Sequence, residues 1–288
     1  MKTSIILHSF RESFALMWKN KLAVALLFAV ELVFLASLFY LSVFYQTRIL
    51  ESSKAIDDYV SRLELNDATV VSDILQQKSL LGPDPLSISR NLKDMVWNFR
   101  MYLAYLYLII VIFVSISWAL TYSLSSGRKI FSGNKNDFSF FRKNLLKGMA
   151  VTCSYFALIF AFFYSLFSIS FAEYVEQSRF FAKYIPFVIF SSALAYFLYV
   201  SLSSLGMTDL KNIVQKALYL GIRKFHYCIA AFAIGFAVFL AALSSLLYFA
   251  EKSVFISLVS IALFVFSFIF GRILAVQIAG KIGKVYGS

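Results

Sequence analysis

Residues 22–45 read LAVALLFAVELVFLASLFYLSVFY, twenty-four positions carrying a single charge, Glu31. A hydrocarbon layer about 30 Å thick is crossed by roughly 20 apolar residues wound as an α-helix. This stretch is long enough and apolar enough to be such a helix. Five more follow, at 101–124, 149–172, 185–207, 227–250 and 253–271. Strands of a membrane barrel would instead appear as segments of about 10 residues with alternating polarity. The expected fold is therefore all-α: a polytopic bundle of six transmembrane helices, with 1–288 forming a single membrane domain. The last span could extend through residues 272–279.

Composition agrees. Hydrophobic residues make up 60% of the chain and charged ones 15%, against about 45–50% and about 25% in soluble domains. A water-soluble fold of this length could not cover so much apolar surface, because the buried fraction grows slowly with size. The 33 Phe and 17 Tyr suit lipid-facing and interfacial positions.

The net charge of +12 raises the question of nucleic acid, and its distribution answers it. Counting alternate segments outside the apolar runs, one set carries 17 basic residues against Glu12, Asp137 and Asp209, an excess of +14. The other set, 46–100, 173–184 and 251–252, carries 10 basic and 11 acidic residues. Such asymmetry is the positive-inside signature. Both termini are expected in the cytoplasm, the protein in the cell membrane, and the basic face against anionic lipid. No nucleic-acid partner is expected. The N-terminal segment is expected to be retained, since its apolar run exceeds a signal-peptide core and lacks a small-residue cleavage site.

The extracytoplasmic side carries one long segment, 46–100, read as a helical hairpin. Ile49, Ile56, Val60 and Leu63 continue the first span outward. A short helix is expected from Asn66 or Asp67 to Gln77. Gly82-Pro83-Asp84-Pro85 then breaks the chain. From Ser87 a further apolar series, Ile88, Leu92, Met95 or Val96 and Phe99, runs into the second span.

The odd-numbered spans share a way of starting. Ile6, Phe10, Phe14, Met17 and Trp18 precede Lys19 and Lys21. Phe138, Phe141, Leu145 and Leu146 accompany Arg142, Lys143 and Lys147. Leu210, Ile213, Val214, Ala217 and Leu218 lead to Arg223 and Lys224. Apolar residues at three- and four-residue steps with a basic polar face describe an amphipathic helix lying in the membrane interface. The unit would be an in-plane helix plus a two-helix hairpin, used three times. Residues 9–28, SFRESFALMWKNKLAVALLF, resemble the openings of poorly characterised bacterial and archaeal six-helix membrane proteins. There an amphipathic segment ends in an aromatic-Lys-Asn turn before the first span. The resemblance transfers no functional residue.

Glu31 is the residue most able to carry chemistry, because an acidic side chain at a helix centre is costly in lipid. It reads either as an ion-coupling carboxylate or as a hydrogen-bonded carboxyl that joins helices. With no basic residue in mid-span elsewhere, hydroxyls are its expected partners: Ser115, Ser117, Thr121, Ser165 or Ser192. Ala233, Ala237, Ala241 and Ser245 form a small-residue stripe on the fifth span, a helix-packing face that would make it a central helix or an oligomer interface. Ser191, Ala195 and Ser203 form a weaker one on the fourth.

His226 at the mouth of the fifth span, His8 on the first leader, and external Asp57-Asp58 read as solvated. Cys153 and Cys228 are expected as free thiols. Two histidines and two cysteines suggest no metal site, and no catalytic, cofactor or metal residues are identified. H-E-x-x-H, G-x-S-x-G, the phosphate-binding loop and G-x-G-x-x-G are absent. Pro186 stands only at the start of the fourth span, so the broken helices of many ion-coupled transporters find no support. The sequence thus reads as a non-enzymatic membrane scaffold or assembly component, bound to a protein partner or a second copy. A small-solute transporter or permease subunit using Glu31 is the alternative.

Overall fold

The computed structural model describes residues 2–65, 86–128, 135–172, 177–207, 209–249 and 254–286. Among them the fold is all-helical, without strands. The helices are α1 (Lys2–Lys19), α2 (Lys21–Leu65), α3 (Leu86–Ser125), α4 (Lys135–Ala172), α5 (Gln177–Ser203), α6 (Leu210–Leu218), α7 (Phe225–Phe249) and α8 (Val254–Tyr286). A 3-10 turn at Leu205–Met207 separates α5 from α6, and a π-helical turn at Tyr219–Arg223 joins α6 to α7. Six of these, α2, α3, α4, α5, α7 and α8, are long and apolar enough to cross a membrane.

The helices run well past the apolar stretches that seed them. At 1.5 Å per residue, the 45 residues of α2 extend roughly 67 Å, about twice the thickness of a hydrocarbon core. From Phe34 onward α2 belongs, with α3 up to Ile110, to a second compact unit. Within it, Ser42 and Tyr102 share a hydrogen bond of 3.3 Å, and Tyr45 packs against Tyr102 and Tyr105. Arg48 lies over the Phe44 ring. The short helix expected near residues 66–77 and the Gly82–Pro85 break lie outside the described residues.

The other unit, Met1–Val33 with Val111–Ser288, is organised around α8. Val265, Ile269 and Ile273, then Leu274, Ile278 and Ile282, follow one another at four-residue steps and are at most 1% exposed. Helices α1, α5 and α7 all pack on α8. Helix α8 is therefore the central helix of this unit. On α7, Ala233, Ala237 and Ala241 are exposed, and of the predicted stripe only Ser245 turns inward, 3.2 Å from Ser260 Oγ. The packed row of α7 is Ala231, Gly235 and Phe239. A row of small residues marks where close approach is possible, and two rows competed for one neighbour. Gly235 wins because Gly271 faces it: a Cβ on Gly235 would lie 3.5 Å from Gly271 Cα.

A second core cluster joins Trp118 and Tyr122 of α3, Val151 of α4, Leu198 and Leu202 of α5, Leu205, Ile213, and Ala275 and Val276 of α8. The 3-10 turn closes it. Tyr122 lies flat against Gly206 and donates its hydroxyl proton to the Ser203 carbonyl. Ser203 and Ser204 turn their own hydroxyls back to the Val200 and Ser201 carbonyls.

The leaders differ from one another. Helix α1 ends at Asn20, whose side chain donates to the Leu16 carbonyl at 3.0 Å. Its inward face is Ser9, Ser13 and Met17, while Leu7, Phe14 and Trp18 are exposed. Helix α6 buries Ile213 and Ala217 and exposes Leu210, Val214 and Leu218. The middle leader is not a separate helix: residues 135–147 continue without a break into the rest of α4. No glycine or other helix-breaking residue stands between Asn136 and Lys147, and nothing else ends the helix there.

Replacing Gly206 by Ala would place its Cβ 2.5 and 2.6 Å from two ring carbons of Tyr122. That overpacking is expected to cost about 1–3 kcal/mol, read as a lowered unfolding midpoint in detergent. Gly235→Ala, which meets Gly271 at ordinary contact distance, is the control and keeps the native midpoint. Equal losses in both would show that the Tyr122–Gly206 contact is not what closes the turn.

Candidate functional site: a buried ion pair and two basic-end cavities

Glu31 is 4% exposed and is held from two sides. Arg272 of α8 approaches Oε1 through Nη2 at 2.6 Å, and Ser117 of α3 donates its hydroxyl to the same oxygen at 2.6 Å. Three helices far apart in sequence meet on one carboxylate oxygen. Hydrogen bonds that join ionised partners are about twice as strong as neutral ones. In a low-dielectric interior the pair also satisfies two charges that would each be expensive alone. Nearby, Tyr199 donates to the Gly271 carbonyl at 2.9 Å and stands edge-on to Trp118. Arg272 Nε is buried without a hydrogen-bond partner among the described residues.

Ser117 is one of the hydroxyls expected from the sequence; Arg272 corrects the expectation that no basic residue reaches Glu31. The last apolar run stops at Gly271, so Arg272 falls at the edge of the expected span, in the stretch 272–279 through which it could extend. Yet α8 continues to Tyr286, and Ile273 to Val276, Ile278, Ala279 and Ile282 are all buried. The readable signal was the apolar series after Arg272, which resumes at once and keeps helical spacing. Removing Arg272 from the basic tally leaves an excess of +13 on that side, and Glu31 is no longer an isolated charge. Ser115 and Thr121 spend their hydroxyls on the Val111 and Ser117 carbonyls. Ser192 is exposed, and the side chain of Ser165 lies outside the described residues.

The segments that the charge pattern groups together also meet in space. A cavity of about 490 Å³ is lined by residues of α1, α3 and the turn after it, α4 and α8, among them Glu12, Arg128, Phe140, Gln277 and Lys281, together with Gly206 and Met207 of the 3-10 turn. A second cavity of about 380 Å³ shares Gly206 and Met207 and is bounded by Lys143, Lys147, Asp209 and Asn212. In each, two cations face one carboxylate. Neither cavity is lined by Glu31, Ser117 or Arg272.

Glu12 ties α1 to α8: Lys281 Nζ lies 2.5 Å from its Oε2 and 2.6 Å from His8 Nδ1, and His8 Nδ1 is 3.0 Å from Glu12 Oε1. Partial burial would raise the Glu12 carboxyl, but the hydrogen bond and charge of Lys281, with those of His8, hold it below the usual carboxylate range. Phe10 and Phe14 reinforce the contact against Phe270. His8 is exposed, in keeping with the solvated reading from the sequence; what the sequence did not show is Lys281, 273 positions away.

His226 is exposed with its ring 4.2 Å from that of Tyr227. Cys153 and Cys228 are free thiols. Among the described residues, no group of three His, Cys, Asp or Glu side chains could hold a metal ion. No protein-family model, curated protein or solved structure matches the chain.

Breaking a buried pair from one side leaves an uncompensated charge, at about 3–5 kcal/mol. Arg272→Met is expected to lose about that much in detergent unfolding. Glu31→Gln, which keeps an acceptor for Ser117, is expected to lose less. Unchanged unfolding midpoints in both would mean that the pair does not hold the three helices together.

Proposed function

We propose that the chain is a six-span integral membrane protein that organises other components at the cell membrane and performs no chemistry of its own. The observation that carries this reading is the closure of Glu31. Its carboxylate is taken up by Arg272 and Ser117, and the two cavities open elsewhere, at the basic end. A carboxylate serving ion coupling needs a free coordination position and a path to water. Here its role is to join α2, α3 and α8.

Membrane insertion is supported by the apolar surface that the helices leave open. On α7, Phe232, Phe236, Leu240 and Leu247 are exposed, and on α8, Phe255, Leu258, Val259 and Leu263. Contiguous apolar surface on this scale requires lipid or protein as its solvent. The basic end is assigned to the cytoplasm with both termini, against anionic lipid. Leu7, Phe14 and Trp18 of α1, and Leu210, Val214 and Leu218 of α6, would then dip into the interface beside their lysines. The unit of leader plus hairpin is used three times, its middle leader fused into α4. The likeness of residues 9–28 to the openings of poorly characterised six-helix membrane proteins fits this plan. A protein partner or a second copy is held at the exposed helix faces or at the extracytoplasmic hairpin; nucleic acid is not a partner.

The alternative, a small-solute transporter or permease subunit, requires water at Glu31. The test is Ser117→Cys in a Cys153→Ser, Cys228→Ser background, treated with a membrane-impermeant thiol reagent in intact membranes. The scaffold reading predicts protection in the folded protein and labelling after denaturation. Labelling of folded protein from either side would replace it with the transporter reading.

A further inference from the structure

We propose that the larger basic-end cavity is a binding site for a small organic acid, a single carboxylate on a compact apolar body. The proposal goes beyond the scaffold reading and does not rest on it.

Three features of the lining converge on that ligand. The first is the placement of Arg128, which rests over the Phe140 ring, 4.2 Å from its centroid. The carboxylate paired with it, Asp137, stands 3.9 Å away, beyond the 2.7–2.9 Å typical of a direct bond between charged groups. An arginine seated on an aromatic ring is held in position while its planar fork of donors stays available, and that fork matches a carboxylate. The second feature is an orphaned hydroxyl. Ser125 is part of the lining, and its Oγ is buried with no hydrogen-bond partner among the described residues. Buried hydroxyls are nearly always bonded, so the partner of Ser125 is expected from the cavity, where a carboxylate oxygen would accept its proton.

The third feature is the balance of charge. Lys281 and Glu12 neutralise one another at 2.5 Å. Arg128 is then the unmatched cation of the lining, since Asp137 is not part of it, and one cation suits a monoanion. Tyr122, Phe140, Met207 and Val276 supply apolar and aromatic wall, and Gln277 adds an amide. About 490 Å³ lies within the size range of small-ligand sites, which combine apolar walls with a few placed polar groups.

The test uses the full chain in a neutral detergent and follows the thermal midpoint, which rises with a ligand that binds the folded state. The probes are hexanoate, hexanol and acetate. Hexanoate is expected to raise the midpoint in a saturable way. Hexanol, the same tail without the charge, and acetate, the same head without the tail, are expected to act much more weakly. Arg128→Gln is expected to raise the half-saturating hexanoate concentration about ten-fold. Gly280→Leu fills the cavity: a Cβ at Gly280 would meet only Met207 Cε, at 3.6 Å, so the fold is kept and the rise is abolished. Ser125→Ala is expected to weaken hexanoate while leaving the ligand-free midpoint at its native value or above, because it deletes a hydroxyl the chain does not satisfy. A merely structural serine would lower that midpoint. Lys211 is exposed on α6 and outside the lining, and Lys211→Met keeps the full rise. The proposal is overturned if hexanoate does not shift the midpoint, or if hexanol or acetate matches it. It is equally overturned if the full rise survives Arg128→Gln or Gly280→Leu, and either variant decides the point should the other fail to fold. None of these outcomes depends on whether Ser117→Cys is protected, so the site and the scaffold reading fail separately.

Discussion

A charge inside an apolar bundle has to be neutralised by a partner that the fold delivers to it, and in this protein that partner is Arg272. Glu31 lies in the first apolar helix and Arg272 in the last, separated by 241 positions. Their contact can form only when α2 and α8 are adjacent and in one register. Ser117 adds the condition that α3 be present as well. Hydrophobic contacts among Leu, Phe and Ile tolerate sliding and rotation, because one apolar contact resembles the next. A charged pair with a hydroxyl on the same oxygen has one geometry. The pair therefore acts as the register pin of the Met1–Val33 and Val111–Ser288 unit.

Other polar contacts in that unit follow the same principle at lower stakes. Tyr122 fixes the end of α5 through the Ser203 carbonyl, Tyr196 fixes the π-helical turn through the Gly221 carbonyl, and Tyr199 fixes α8 through the Gly271 carbonyl. Each sends an aromatic ring into the core and a hydroxyl to a backbone acceptor on another element. Half of the buried serines among the described residues, by contrast, bond within their own helix, as Ser13 does to Ser9 and Ser123 to Ala119. They lower the bulk of a helix face without demanding a partner. The short leaders obey this as well: α1 turns Ser9 and Ser13 inward and leaves its large apolar residues outside.

The six apolar helices were legible because length and composition alone define them. Glu31 stood out because one charge in a run of apolar residues has no local explanation. Arg272 was hidden by a boundary effect. A basic residue after a long apolar run looks like the end of a span; the extension through 272–279 was readable, but not that it carries Arg272 to Glu31. The Ala233 row illustrates a second point. Periodicity reports which residues share a face, but not which of two small faces meets a neighbour, and Gly235 was decided by Gly271 on another helix. The leader before α4 looked like those of α1 and α6, yet a polar-to-apolar change does not by itself break a helix, and residues 135–147 run on into α4. The basic-end cavities were outside the reach of sequence, since their walls come from five helices and a turn that only the packed unit brings together.

The most direct measurement of the central claim is the coupling between positions 31 and 272. Unfolding free energies in detergent would be compared for the native chain, Glu31→Leu, Arg272→Met and the double variant. Because each single change strands one buried charge and the double change strands none, the double variant should lie within about 1 kcal/mol of native, far less than the sum of the single losses. Losses that simply add would show that Glu31 and Arg272 do not neutralise one another, and that the helix register is set by other contacts.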